Sequence, residues 1–373
     1  MIKINYPESR YNFQQDYINS LKITNEKRNR FDLFKKRKLN IELSLRNISL
    51  DKILLADISE LYRISNDLMS KNLSASDLNE LKQIFNYDYK EIKSPKFQNL
   101  IKSFFEQNLK IKTCYFCNID FINAFSDMGD YHDSLDFVMR ATKKDLMSIN
   151  GIKERAQIII NQRSTISSID DLKNGIGEGL KDKLKNYNIN NKSHFTLDHL
   201  LNKSSNPILA LSLYNFVPSC FSCNSKFKGT NQIINDKTMI NLSPTAKKFS
   251  INKKIKFRIL FHNGKSISTI CDKKDFIIDF QHPNSGNFKE YIDIFKLKGR
   301  YVFHKDDILH IIRNHQRYPD DRIAQLSANT GIPKKEIKTH LFGKELFYGN
   351  EEDKSLSKFK RDIAKNIGIS GVK

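Results

Sequence analysis

The stretch LDHLLNKSSNPILALSLYNFVPSCFSCNSKFKG, residues 197–229, decides how this chain is read. It holds a Cys-x-x-Cys pair, Cys220 and Cys223, with Asp198 and His199 ahead of it and Asn224 directly behind. A second pair, Cys114 and Cys117, stands upstream in IKTCYFCN, residues 111–118. Four thiolates in two such pairs can close a tetrahedral site, so structural Zn²⁺ is expected on these cysteines. A carboxylate, an imidazole and an amide oxygen would then be held beside the zinc. Those are the parts of a hydrolytic site with one divalent metal. An inert zinc ribbon is the competing reading, but it has no need of Asp-His and Asn at these offsets.

Composition bounds the partners and the compartment. With 373 residues the chain can form two or three domains with their own cores. Hydrophobic residues make up 39% and charged ones 28%, which marks a globular chain rather than a disordered one. No apolar run approaches the roughly 18 residues of a membrane span. The opening MIKINYPESR lacks the apolar core of a signal peptide. Cysteines in Cys-x-x-Cys pairs suit metal ligands in a reducing cytosol, so a cytoplasmic protein is expected. Cys271 is left over and reads as a small buried apolar residue. Lys and Arg total 63 against 42 Asp and Glu, a net charge of +21. Such an excess suits a polyanion, most often nucleic acid. A Lys- and Asn-rich bias, visible in KNYNINNKS, accounts for part of it.

Residues 1–105 read as a basic helical region. LDKILLADISELYRISNDLM has helical spacing, and SASDLNELKQIF opens on a capping-type Ser. The runs KRNR (27–30) and KKRK (35–38) read as solvated helix faces or as DNA-backbone contacts. Residues 142–187 contain a repeat: KKDLMSINGIKERAQIIINQR, then IDDLKNGIGEGLKDKLKNY. Each copy has a helix, a Gly-Ile turn and a second helix. Gly151 serves the first turn, and Gly175-Ile176-Gly177 form the second. Glycines there permit a tight turn and let backbone N–H groups approach a phosphate. Residues 246–300 look β-rich, with IKFRILF, SISTI and FIIDF as strands. Residues 301–373 return to helix, and DRIAQLSANTGIPKKEIKTHLF has a helix-turn-helix layout that would put Lys334, Lys335 and Lys338 on its second helix. The last 20 residues read as a polar, basic helix or tail.

Two resemblances follow from these residues. The repeat resembles the tandem helix-hairpin-helix domain of competence-type DNA-binding proteins, with Lys153 where the second Gly of the first copy is expected. That resemblance implies sequence-independent contact with double-stranded DNA through Gly151, Lys153, Gly175, Ile176 and Gly177. The stretch 197–229 resembles the HNH nuclease motif: Asp-His, a loop with Lys203, Asn215, then Cys-x-x-Cys with Asn224 nine positions after Asn215. IKTCYFCN resembles the entry of zinc-bearing members, with Phe116 in the usual Tyr place. The resemblance implies a metal-dependent endonuclease. Asp198 and Asn224 would hold catalytic Mg²⁺ or Mn²⁺, His199 would be the general base, and Asn215 would orient it. Lys226 or Lys228 would grip a phosphate or lie on a solvated helix face. The layout is similar to bacterial antiphage-defence HNH proteins. It implies, as an alternative, a dormant nuclease subunit working with a partner ATPase.

The fold expected is α+β, multidomain and mainly helical. A small zinc-stabilised ββα-metal core would occupy 106–125 and 190–245, too small to be stable on its own core without the metal. An all-α hairpin domain would be inserted at 140–189, and a C-terminal α+β region would divide at 300.

Overall fold

The computed structural model describes residues 2–7, 9–38, 48–70, 73–85, 97–126, 131, 133–185, 191–284, 286–348 and 354–372. It is a mixed α+β fold, mostly helical, and among the described residues the strands form three two-stranded antiparallel sheets. The chain divides into two units, 1–123 with 195–373, and 124–194.

In the larger unit local chemistry sets the helix ends. Ser74 and Asp77 form a reciprocal capping box that starts the helix Ala75–Ile84. The periodic run after residue 50 is two helices, Leu50–Leu55 and Ile58–Met69. Asp57 divides them, because its carboxylate accepts the N–H groups of Ser59 and Glu60 as an N-cap. The charge runs sit on the helix Asn25–Arg37 and its end. Four of their cations meet carboxylates: Arg28 with Asp51, Lys35 with Asp32, Arg37 with Glu80 and Lys38 with Asp77.

Strand β3 (Thr196–His199) pairs with β4 (Phe216–Ser219), setting Asp198 opposite Val217 and His199 opposite Phe216. Strand β5 (Lys256–Phe261) pairs with β6 (Phe276–Gln281). SISTI is not a strand: Ser266 and Thr269 cap each other around a 3₁₀ turn, Ile267–Thr269. Helices Gly286–Ile294 and Leu297–Val302 follow the hairpin, so the segment to residue 300 is mixed rather than β-rich. Of the two expectations for the final segment, helix or tail, the structure shows a helix, and not a wholly polar one. This helix, Ser357–Asn366, buries Phe359, Ile363 and Ala364 and packs on β5. One hydrophobic cluster joins the first helices, the cysteine pairs, β3–β4, β5–β6 and this last helix. The expected boundaries at 105, 245 and 300 fall inside the larger unit. The cysteine region shares this large core.

The smaller unit opens and closes on a ladder, β1 (Ala124–Ser126) against β2 (Asn191–Ser193), so it is not purely helical. Helix Ser134–Arg140 supplies Phe137 and Val138 to its core, which starts the unit ahead of residue 140. The first copy of the repeat forms helices Lys143–Met147 and Ala156–Gln162, and the second ends in Glu178–Lys185. Residues 186–190 lie outside the described residues. Ile152 and Ile176 are both buried. Gly151 and Gly175 take φ of +100° and +94°, where any side chain is strained. Lys153, in the place of the missing glycine, also has positive φ, 37°. The two turns pack across each other: a Cβ on Gly151 would meet Leu180 at 3.2 Å, and one on Gly175 would meet Ile158 at 3.8 Å.

Candidate metal centre and adjoining cleft

Residues distant in the chain bring the four cysteines together. Cys114 and Cys117 bracket a tight turn closed by Asn118 N–H to the Cys114 carbonyl, 2.8 Å, and Cys114 N–H to the Asp120 carbonyl, 3.0 Å. Cys220 and Cys223 straddle the end of β4 and the start of a π-helix, Ser222–Lys228. The sulfurs of all four lie within 4.8 Å of one another and are buried. Tetrahedral zinc with Zn–S near 2.3 Å places sulfurs roughly 3.8 Å apart, so the cluster can hold a metal ion and its donor set matches structural zinc. Electrostatics point the same way. Burial opposes ionisation of Cys117, but hydrogen bonds from the other three cysteines and the charge of Arg300 hold it well below the usual thiol range. Hydrogen bonding with Cys114 pushes Cys220 up, and burial pushes Cys223 up. One thiolate forms at the expense of its neighbours unless a dication sits among them.

Three residues around this cluster carry no signal in the local sequence. Arg300 donates to Cys223 Sγ at 3.2 Å and Cys117 Sγ at 3.4 Å, and also to Asp120 at 3.1 Å. Its guanidinium lies over the Phe227 ring, 4.9 Å from the centroid. Tyr301 donates to the Cys117 carbonyl and Tyr291 to the Phe116 carbonyl, the latter at 2.9 Å. Phe116 itself stacks on Phe295 at 4.8 Å. These residues surround the sulfurs with donors and apolar packing, as outer shells of metal sites do. They were invisible because nothing near residue 300 resembles a metal motif.

Beside the cluster opens a cleft of about 440 Å³, walled by Asp198, His199, Lys203, Asn224 and Lys228 among others. Asp198 is 4% exposed, and its Oδ2 is buried with no hydrogen-bond partner. Its Oδ1 accepts from Lys228 Nζ at 2.9 Å. Burial pushes the Asp198 carboxyl up to about 6, against the opposing charge and hydrogen bond of Lys228. Lys228 thus lies on no solvated helix face, although it lines the cleft. Its ammonium is buried and bonded to Asp198 and, at 3.0 Å, to the His199 carbonyl. The π-helix explains this placement: its wide turn, closed by Gly229 N–H to the Asn224 carbonyl at 2.9 Å, swings residue 228 inward. Lys226 is exposed and does not line the cleft.

His199 Nε2 lies 3.0 Å from the Ala210 carbonyl oxygen. A carbonyl only accepts, so in the neutral ring Nε2 carries the proton and Nδ1 the lone pair. Asn215 is buried and fixes the loop above: its Oδ1 accepts from Leu201 N–H at 2.8 Å, and its Nδ2 donates to the Leu201 and Leu209 carbonyls at 3.1 Å each. It therefore holds the segment next to Ala210, and through it the imidazole. Asp198, His199, Asn224 and Lys203 share one cleft, with Asn215 behind it. Gly151, Lys153, Gly175, Ile176 and Gly177 belong to the smaller unit. Cys271 is exposed, contrary to its apolar reading, because its backbone N–H is drawn into a turn capped by Asp275 at 3.0 Å. Among the described residues no helix is long and apolar enough to cross a membrane.

No protein-family model, curated protein or solved structure matches this chain.

Proposed function

We propose that the chain is a metal-dependent DNA endonuclease of the HNH class, with its helix-hairpin-helix unit holding duplex DNA by the backbone. The observation that carries this reading is the buried Asp198 carboxylate, one oxygen unpartnered, on the wall of a cleft it shares with His199 and Asn224. Asp198 and the Asn224 amide oxygen would hold the catalytic ion, and hard oxygen donors favour Mg²⁺ or Mn²⁺ over Zn²⁺. When bound, such an ion neutralises charge on the scissile phosphate and the leaving oxygen. The chain's own residues do the rest. The His199 Nδ1 lone pair takes a proton from the attacking water, and the Ala210 carbonyl steadies the imidazolium that forms. Asn215 keeps that carbonyl in place. Lys203, half-buried at the cleft wall, neutralises a neighbouring phosphate.

A second reading is a nuclease dormant until a partner, such as an ATPase, acts on it. The Lys228 ammonium seated on Asp198 favours it, because that oxygen must be released before it can serve an ion.

The test is incubation of the purified chain with supercoiled plasmid in Mg²⁺, Mn²⁺ or EDTA. Nicked or linear product in either metal and none in EDTA is expected. Duplex binding without cleavage in any metal turns the account to the dormant reading. Neither binding nor cleavage contradicts both.

A further inference from the structure

The C-terminal part of the larger unit has a second cleft, about 510 Å³, where β5 meets the helix Ser357–Asn366. Its charged lining is Lys253, Lys256, Arg258, Arg361, Lys365 and a single carboxylate, Asp362. That carboxylate is already satisfied. Its Oδ2 accepts from the buried Lys358 ammonium at 2.7 Å and from Phe257 N–H at 3.1 Å. Arg258 bonds a neutral partner, Gln281, at 2.7 Å. Asp279, which faces Arg258 across the ladder, is bound instead by Lys298 at 3.0 Å. Among the described residues Lys253, Lys256 and Lys365 enter no ion pair. The contrast with the helix Asn25–Arg37 is informative: there a denser basic run is matched by carboxylates on neighbouring segments. Here the fold gathers cations from three elements around one concave wall, and its three lysines meet no carboxylate among the described residues. Arg361, by contrast, is buried, and its Nε donates to the Glu345 carbonyl at 2.8 Å.

We infer that this cleft binds the phosphodiester backbone of a nucleic acid, independently of base sequence. Its exposed lysines act as point charges on flexible stems, which suits a run of phosphates better than a single fixed ligand. The aromatic residue in the lining, Phe257, is 1% exposed, so the cleft offers no ring for base stacking. The contact is made through charge alone and is therefore strongly dependent on salt. The inference does not rest on any hydrolytic role for Asp198.

The experiment uses the full chain in EDTA and follows binding of a labelled DNA duplex by anisotropy across a salt series. The triple variant Lys253→Gln/Lys256→Gln/Lys365→Gln is compared with Lys52→Gln/Lys82→Gln/Lys110→Gln, which removes the same charge from exposed positions elsewhere. The cleft variant should lower the slope of log K against log salt by roughly 2–3, at about 0.9 per phosphate contact. The control variant should keep the wild-type slope. Equal slopes in the two variants would overturn the inference. So would a cleft that takes free phosphates instead: tripolyphosphate raising the melting temperature of wild type but not of the cleft variant, with duplex binding the same in both.

Discussion

At the scale of single residues, Asp198 is the position where sequence and structure meet most sharply. Its pairing with His199 was legible because two chemically distinct residues stood at a fixed offset from a cysteine pair. Its burial and its Lys228 partner were not, because a π-helix rather than an α-helix turns Lys228 inward. That environment has a pH consequence. Burial lifts the folded carboxyl to about 6 from its ordinary value of 3.8. Between about pH 4 and 6 the folded state holds a proton that the unfolded chain has lost. The residue's contribution to stability is thus present at low pH and is lost as pH rises through about 6, over a span of roughly 2–3 kcal/mol. Urea unfolding of the metal-free protein should show the gap between wild type and Asp198→Asn changing by that amount across this window. A gap that stays constant with pH would show that Asp198 is not held in this buried state.

Elements carry the second lesson. The cysteine pairs announced a metal site, and alternation and turn residues announced β5 and β6. The last helix was one of two expectations for the final residues, but its burial did not announce itself, since Ser357, Lys358 and Arg361 look like solvent residues and are nevertheless buried. Asn118 explains part of this. It takes positive φ, 54°, directly after Cys117. Its carbonyl oxygen accepts from Leu356 N–H at 2.7 Å, and its Oδ1 accepts from Lys358 N–H at 3.2 Å, so the cysteine turn caps the start of that helix. Arg300 joins the same cluster from the helix Leu297–Val302, linking two sulfurs to the Phe227 ring of the π-helix. Outer-shell partners of this kind change metal affinity by roughly 10–100-fold. Arg300→Met should therefore release zinc to a chromophoric chelator at least about tenfold faster than wild type, with Arg300→Lys in between. Release from Arg300→Met at the wild-type rate would remove Arg300 from the metal site.

For the whole molecule, the sequence pattern foresaw a mixed α+β chain, mostly helical. It did not foresee that the segments flanking the cysteines share one core. Local periodicity assigns each helix its apolar face but says nothing of which faces meet. The contacts that join Ile2 to Tyr115 and Leu356 to Asn118 span the chain and leave no local trace. The proposed division of labour, with the cysteines as scaffold and the chemistry in the cleft of Asp198 and His199, was already the reading of the sequence. The most direct measurement of that division is plasmid cleavage by His199→Ala in Mn²⁺, with zinc content and melting temperature determined on the same preparation. The account predicts cleavage reduced by about 10²-fold or more, with zinc and stability as in wild type. Cleavage by His199→Ala at the wild-type rate would contradict it.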